Sequence, residues 1–169
     1  MLSADKSKIN SEIKQIEEYS DLLHVEDAAR VNLADFSNHH VIRKGDLVFR
    51  SRGKRNSVAL VSVDLGLAVL AAPMLLIRPV DVLPAYLLWY INLPTTQAAL
   101  AAQAEGTSVR MISKAALEAL EIPIPSLRKQ RLIVQASEMA TAEQKLLEQI
   151  VKEKRRLADG VLLRYAKHL

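Results

Sequence analysis

The chain has 169 residues, half of them hydrophobic, a formal net charge of +4 and no cysteine. This length can bury one core plus an appendage, and the apolar content excludes a disordered chain. The lack of thiols excludes disulfides, cysteine nucleophiles and cysteine-held zinc, and fits a reducing cytoplasm, which is the expected location.

The opening stretch, MLSADKSKINSEIKQIEEYS, is too polar for a secretory leader. Ile9, Ile13 and Ile16 recur at helical spacing within it and predict a polar N-terminal helix in segment 1–20. DLLHVED reads as a short strand and NLADFSNHH as a polar loop. GDLVFRS is a strand entered through the turn pair Gly45–Asp46, and SVALVSV and LAVLAAPMLLIRP read as further buried strands between breakers. Asp64, Gly66 and Pro73 interrupt this apolar region, so it is not a membrane span.

LPAYLLWYINLPTTQAALAAQA predicts two helices broken at Pro94. Pro84 stands near the start of the first and Thr95–Thr96 are placed to cap the second. GTSVRMI reads as a loop, and Ser113 caps KAALEAL, with Leu117 and Leu120 apolar at helical spacing. EIPIP is expected to close the domain as an extended strand stiffened by Pro123 and Pro125. A charged helix follows with hardly a turn between. No internal repeat and no low-complexity segment occurs.

That last helix carries a seam. With Ile133 as position a of a heptad, the a/d series is Ile133, Ala136, Ala140, Glu143, Leu147, Ile150, Lys154, Leu157 and Val161. Seven of these nine positions are apolar, and the steps alternate three and four as in a coiled coil. Gly160 is expected to fray or kink the end. An isolated helix of this kind needs a partner. The partner is the N-terminal helix, a second copy, or the helix's own domain.

Charge is unevenly spread. Residues 1–40 carry 4 basic and 8 acidic side chains, net −4, whereas residues 41–60 carry 6 and 1, net +5. Residues 61–125 carry 3 and 5, net −2, and residues 126–169 carry 10 and 5, net +5. The C-terminal block, rich in Glu, reads as a solvated helix face. The compact block at 43–55 points to a polyanion.

Catalytic patterns are missing. His24, His39, His40 and His168 lack metal-ligand spacing, and the five glycines form no phosphate loop or nucleophile elbow. Asp46 and Asp64 lack the acid-x-lysine neighbour that would complete a metal-dependent nuclease site. Asp46 reads instead as a turn residue whose side chain bonds nearby backbone amides. The expectation is therefore a protein without catalysis, metal or cofactor.

The candidate binding surface is FRSRGKRNS. Arg50 and Arg52 share a side if the strand continues, Gly53 allows a turn, and Lys54, Arg55 and Asn56 follow at the tip. Arg and Lys grip phosphates, Arg can take guanine bidentately and Asn adenine. A basic hairpin tip that serves only solubility has the same residue types.

The order of motifs adds to this reading. LLHVEDAARVNL, IRKGDLVFRSRGKRNSVALV, AAPMLLIRPVDVLPAYLLWYIN and QAALAAQAEGTSVRMISKAALEALEIPIPSLRKQRLIV follow one another. Together, over roughly residues 20–165, they resemble the specificity subunits of type I restriction–modification systems. The shared marks are the Gly-Asp-Leu strand entry, the Gly-Thr loop and the Ile-Pro-x-Pro-x-Leu-x-x-Gln junction. Residues 1–20 depart from the pattern, where such domains open with an aromatic-rich strand.

The resemblance implies an α+β fold: a single target-recognition domain over 21–125, with a twisted, mostly antiparallel sheet and short helices. A long coiled-coil spacer helix then occupies 126–169. It implies a non-catalytic subunit that binds double-stranded DNA sequence-specifically and positions methyltransferase and restriction subunits. A full specificity subunit has two recognition domains and two long helices packed antiparallel. This chain has one of each, so it reads as a half-subunit that pairs with a second copy. The expected DNA contacts are Arg50, Arg52, Lys54, Arg55, Asn56, Ser108 and Arg110. The expected dimer contacts are Ile133, Ala136, Ala140, Leu147, Ile150, Leu157 and Val161. The alternative is a protein–protein module that binds a methyltransferase or a full specificity subunit without reading DNA.

Overall fold

Alternation along one short strand organises the domain. The computed structural model describes residues 41–52, 56–70, 73–104 and 110–167. The chain divides into two compact units, Met1–Gln130 and Arg131–Leu169. The predicted helix in 1–20, the strand DLLHVED and the loop after it lie outside the described residues.

Strand β2 (Leu47–Arg50) is the middle of a three-stranded antiparallel sheet, flanked by β3 (Val58–Leu60) and β5 (Met74–Ile77). Val48 stands opposite Ala59 on one side and Leu76 on the other. Successive strand side chains point to opposite faces. Leu47 and Phe49 accordingly join a cluster with Leu87, Ile91, Leu100, Ile112 and Ala116, while Val48 joins a second with Ile42, Val61, Ala68 and Leu70. Leu47, Val48 and Phe49 are all fully buried. A strand covered on both faces reads as an unbroken apolar run rather than an alternation. Burial of each such side chain contributes roughly 1.5–3 kcal/mol before entropy is counted.

The second cluster draws on a two-stranded antiparallel sheet, β1 (Val41–Ile42) with β4 (Ala68–Val69). The fold is thus α+β with antiparallel strands, divided between two sheets. The entry to β2 is the predicted turn. Gly45 has φ +93°, a conformation that favours glycine, and Asp46 Oδ2 accepts the Arg43 N–H at 2.8 Å.

Helices α1 (Pro84–Asn92) and α2 (Pro94–Ala102) each begin on proline, where a missing N–H costs no helical bond. The expected threonine cap on α2 is not formed. Pro94 takes the first helical position, so Leu93 becomes the cap and Thr95 and Thr96 fall inside the first turn. Gln97 Nε2 instead spans the break, donating to the Ile91 carbonyl at 2.7 Å. Helix α3 (Lys114–Glu118) is capped as predicted, with Ser113 Oγ accepting the Ala116 N–H at 3.2 Å.

The EIPIP stretch forms no strand. Pro123 and Pro125 offer no N–H to a ladder, and side chains of α1 hold the segment instead. Tyr86 donates its hydroxyl to the Pro123 carbonyl at 2.7 Å and Tyr90 reaches the Glu121 carbonyl at 3.4 Å. Tyr86 is 2 % exposed, and burial pushes its hydroxyl pKa up, with nearby Tyr90 adding to the shift.

Helix α4 runs from Leu127 to Lys167. Gln130, in its first turn, is 1 % exposed. Its Oε1 accepts the Leu83 N–H at 2.9 Å and its Nε2 donates to the Pro125 carbonyl at 2.7 Å. One buried amide thus serves both the start of α1 and the proline segment. Gln130→Leu keeps the volume but strands both partners, and is expected to destabilise the domain by about 2 kcal/mol. The measurement is urea denaturation: a lower midpoint with an unchanged slope. Gly160, expected to fray or kink the end, does not interrupt the helix. One glycine costs about 1 kcal/mol against alanine, and the helix continues through it to Lys167. No helix among the described residues is long and apolar enough to cross a membrane.

Candidate nucleic-acid interface

The β2–β3 hairpin leads into the basic stretch. Beyond the paired strands the Arg50 N–H donates to the Ser57 carbonyl at 2.9 Å, which closes the hairpin toward its loop. Ser51 is buried, and both its N–H and its hydroxyl donate to the Pro73 carbonyl. The Ser51 carbonyl accepts the Ile112 N–H at 2.9 Å, and Arg52 forms an antiparallel bridge with Met111. Two stretches about sixty residues apart in sequence are thereby laid side by side.

Arg52 and Arg110 sit on these adjoining stretches and are both exposed. Arg50 is half-buried at the end of β2, opposite Met74. Asn56 is half-buried, and its Oδ1 is buried without a hydrogen-bond partner among the described residues. Lys54, Arg55 and Ser108 lie outside the described residues, as do all four histidines. Among the described residues no group of three His, Cys, Asp or Glu is placed to hold a metal ion. Exposed guanidinium groups on two adjoining stretches can take phosphates, or a phosphate and a guanine edge.

The other end of the same sheet carries a pair that sequence reasoning missed. Arg78 Nε donates to Asp46 Oδ1 at 2.9 Å and one terminal nitrogen to Oδ2 at 2.7 Å, a bidentate ion pair. The same terminal nitrogen also donates to the Val41 carbonyl at 2.9 Å. The bond to Asp46 raises the Arg78 pKa above its ordinary value. Asp46 precedes β2 and Arg78 follows β5, so the antiparallel register alone brings them together. The residues were visible in the sequence; the register was not.

A cavity of about 510 Å³ lies between β5, α1 and α3, lined by Leu75, Ile77, Leu87, Ile91, Leu117 and Leu120, with Lys114 and Glu118 among its polar members. Lys114 and Glu118 pair with each other at 3.3 Å on the surface of α3. Among the described residues its lining is mainly apolar, with Arg78, Lys114 and Glu118 as the charged members.

The described structure combines small antiparallel sheets, a bridge that lays the Arg52 and Arg110 stretches side by side, and a long helix. The chain matches the type I restriction modification DNA specificity domain over residues 6–153 and belongs to that family. DNA sequence recognition in a type I restriction–modification system is the role of that domain, which is the non-catalytic part of such systems. The match starts at residue 6, so most of the polar N-terminal stretch, expected to depart from the family pattern, falls within it. No curated protein matches the chain.

Proposed function

We propose that the chain is a half-size specificity subunit that reads double-stranded DNA and pairs with a second copy through α4. The pair positions a type I methyltransferase, and its restriction subunit, on a bipartite site. The bridge between Arg52 and Met111 carries this reading. It joins the stretch bearing Arg50 and Arg52 to the one bearing Arg110, so the basic hairpin gains one further arginine on a neighbouring stretch. A hairpin tip that was basic only for solubility would need no such neighbour. Two copies related by a two-fold axis would present two such surfaces and read a palindromic pair of half-sites.

The test is fluorescence anisotropy of labelled duplexes, titrated with the chain alone and with a methyltransferase partner. Binding is expected to weaken linearly in log K against log salt, as counterion release requires. No salt-sensitive binding in either mixture overturns the reading. The apolar cavity beside β5 favours a second one, in which this face takes a methyltransferase and the arginines are only solvated. That reading requires binding of the methyltransferase without DNA binding.

A further inference from the structure

Two charged residues interrupt the seam of α4, and their placement is informative. Leu147, Ile150, Leu157 and Val161 are 50–69 % exposed, so among the described residues this face is uncovered. Glu143 and Lys154 stand in the same line, eleven residues and hence about three turns apart. Neither makes an ion pair among the described residues, whereas Glu153 and Arg156, off the seam, pair at 3.6 Å.

We propose that Glu143 and Lys154 select both the orientation and the register in which a second copy of α4 packs. The second copy runs antiparallel, with the two-fold axis level with Glu148 and Gln149. The proposal rests on the pairing of two copies put forward above. It adds the device that decides how they pair.

In an antiparallel pair each layer joins an a residue of one helix to a d residue of the other. Glu143 is a d residue and Lys154 an a residue. Setting Glu143 against Lys154 of the second copy makes the contact twice, once on each side of the axis. The same alignment puts Leu147 against Ile150, Ala140 against Leu157 and Ala136 against Val161. Every apolar seam residue between Ala136 and Val161 then meets an apolar one, and each alanine faces a larger side chain. A shift of one heptad in either direction places Glu143 against Leu147 or Val161, and Lys154 against Ala136 or Ile150. Each shifted register desolvates four charged side chains against apolar ones. A parallel, in-register pair stacks Glu143 on Glu143 and Lys154 on Lys154, and like charges in one layer repel. Of these registers this one alone satisfies every layer from Ala136 to Val161, and only at the helix ends does it set Ile133 against Arg164.

The test compares the unsubstituted full chain with E143K, K154E and the double variant by analytical ultracentrifugation, with circular dichroism to check helicity. The unsubstituted chain is expected to dimerise. Each single variant should weaken the dimer about tenfold or more, because it faces two lysines or two glutamates across both layers. The double variant should regain the original affinity. In a parallel pair each single change swaps one like-charge layer for another. Equal dimerisation by all four proteins therefore overturns the proposed register while leaving the dimer standing. A monomeric unsubstituted chain overturns the pairing itself and the register with it.

Cross-linking gives an independent check, since the chain has no cysteine of its own. A mixture of Ala140→Cys and Leu157→Cys chains is expected to form a mixed disulfide. Ala140→Cys alone is not, because antiparallel packing holds its two copies seventeen residues, about 25 Å, apart. Efficient self-cross-linking of Ala140→Cys overturns the antiparallel alignment.

Discussion

Arg78→Ala is expected to lower the stability of the recognition domain by about 2–3 kcal/mol, a large share of what a domain of this size has in hand. The substitution removes two charge-assisted bonds to Asp46 and the bond to the Val41 carbonyl. It also leaves the Asp46 carboxylate in place, with its side chain 4 % exposed and the Arg43 N–H as its remaining donor among the bonds described. Breaking a buried ion pair from one side costs about 3–5 kcal/mol, because the surviving charge is stranded. The Arg78 side chain is 39 % exposed, so solvent already screens the pair, and the lower end of that range or below applies. The carboxylate is the deeper partner, so removing the arginine should cost more than Asp46→Asn, which keeps an acceptor for Arg78 and leaves no buried charge. Arg78→Lys should also fail to restore stability in full, since an ammonium cannot make the bidentate contact. Urea denaturation followed by circular dichroism measures all three. An Arg78→Ala domain within about 0.5 kcal/mol of the unsubstituted one would show that the pair is a surface ornament.

The Asp46–Arg78 pair also shows where sequence reading stops. Local signals were legible because each has a local cause. Gly45–Asp46 marks a turn, Leu47–Phe49 is apolar enough to be a strand, Pro84 and Pro94 start helices, and Ser113 caps α3. Signals that depend on distant partners were not. Nothing in Ala68–Val69 says that it pairs with Val41–Ile42 rather than joining the sheet of β2. The EIPIP stretch has the composition of a strand, and only the tyrosines of α1 reveal that its carbonyls are bonded by side chains. Gln130 was marked by its place in the junction motif, but its reason is a pair of bonds to Leu83 and Pro125. The candidate interface divides in the same way. The basic content of residues 49–57 is plain in the sequence, and Arg110 was singled out with the loop after Gly106. That their stretches lie side by side rests on a bridge between Arg52 and Met111, about sixty positions apart, and no composition or periodicity encodes it.

That adjacency leads to the largest expected effect on function. Replacing Arg52 and Arg110 together by alanine should weaken binding to the preferred duplex by about two orders of magnitude at fixed salt, at roughly 1–3 kcal/mol for each contact. Both side chains are exposed, so the substitutions remove little packing and thermal stability should be unchanged. Lys145 and Lys152 replaced together by alanine, on the exposed surface of α4, make the matched loss of two charges outside the proposed interface and should leave affinity nearly unaltered. The salt dependence separates the two kinds of contact an arginine can make. If both residues hold phosphates, the double variant loses affinity equally on every sequence, and the slope of log K against log salt falls by about two. If one of them takes a guanine edge, its single variant loses discrimination at one base pair while non-specific binding persists. Either outcome fits an interface built across the Arg52–Met111 bridge. A double variant that binds the same duplex with unchanged affinity and unchanged slope removes this surface from the interface. DNA contact would then have to come from other parts of the chain, although the family assignment would stand.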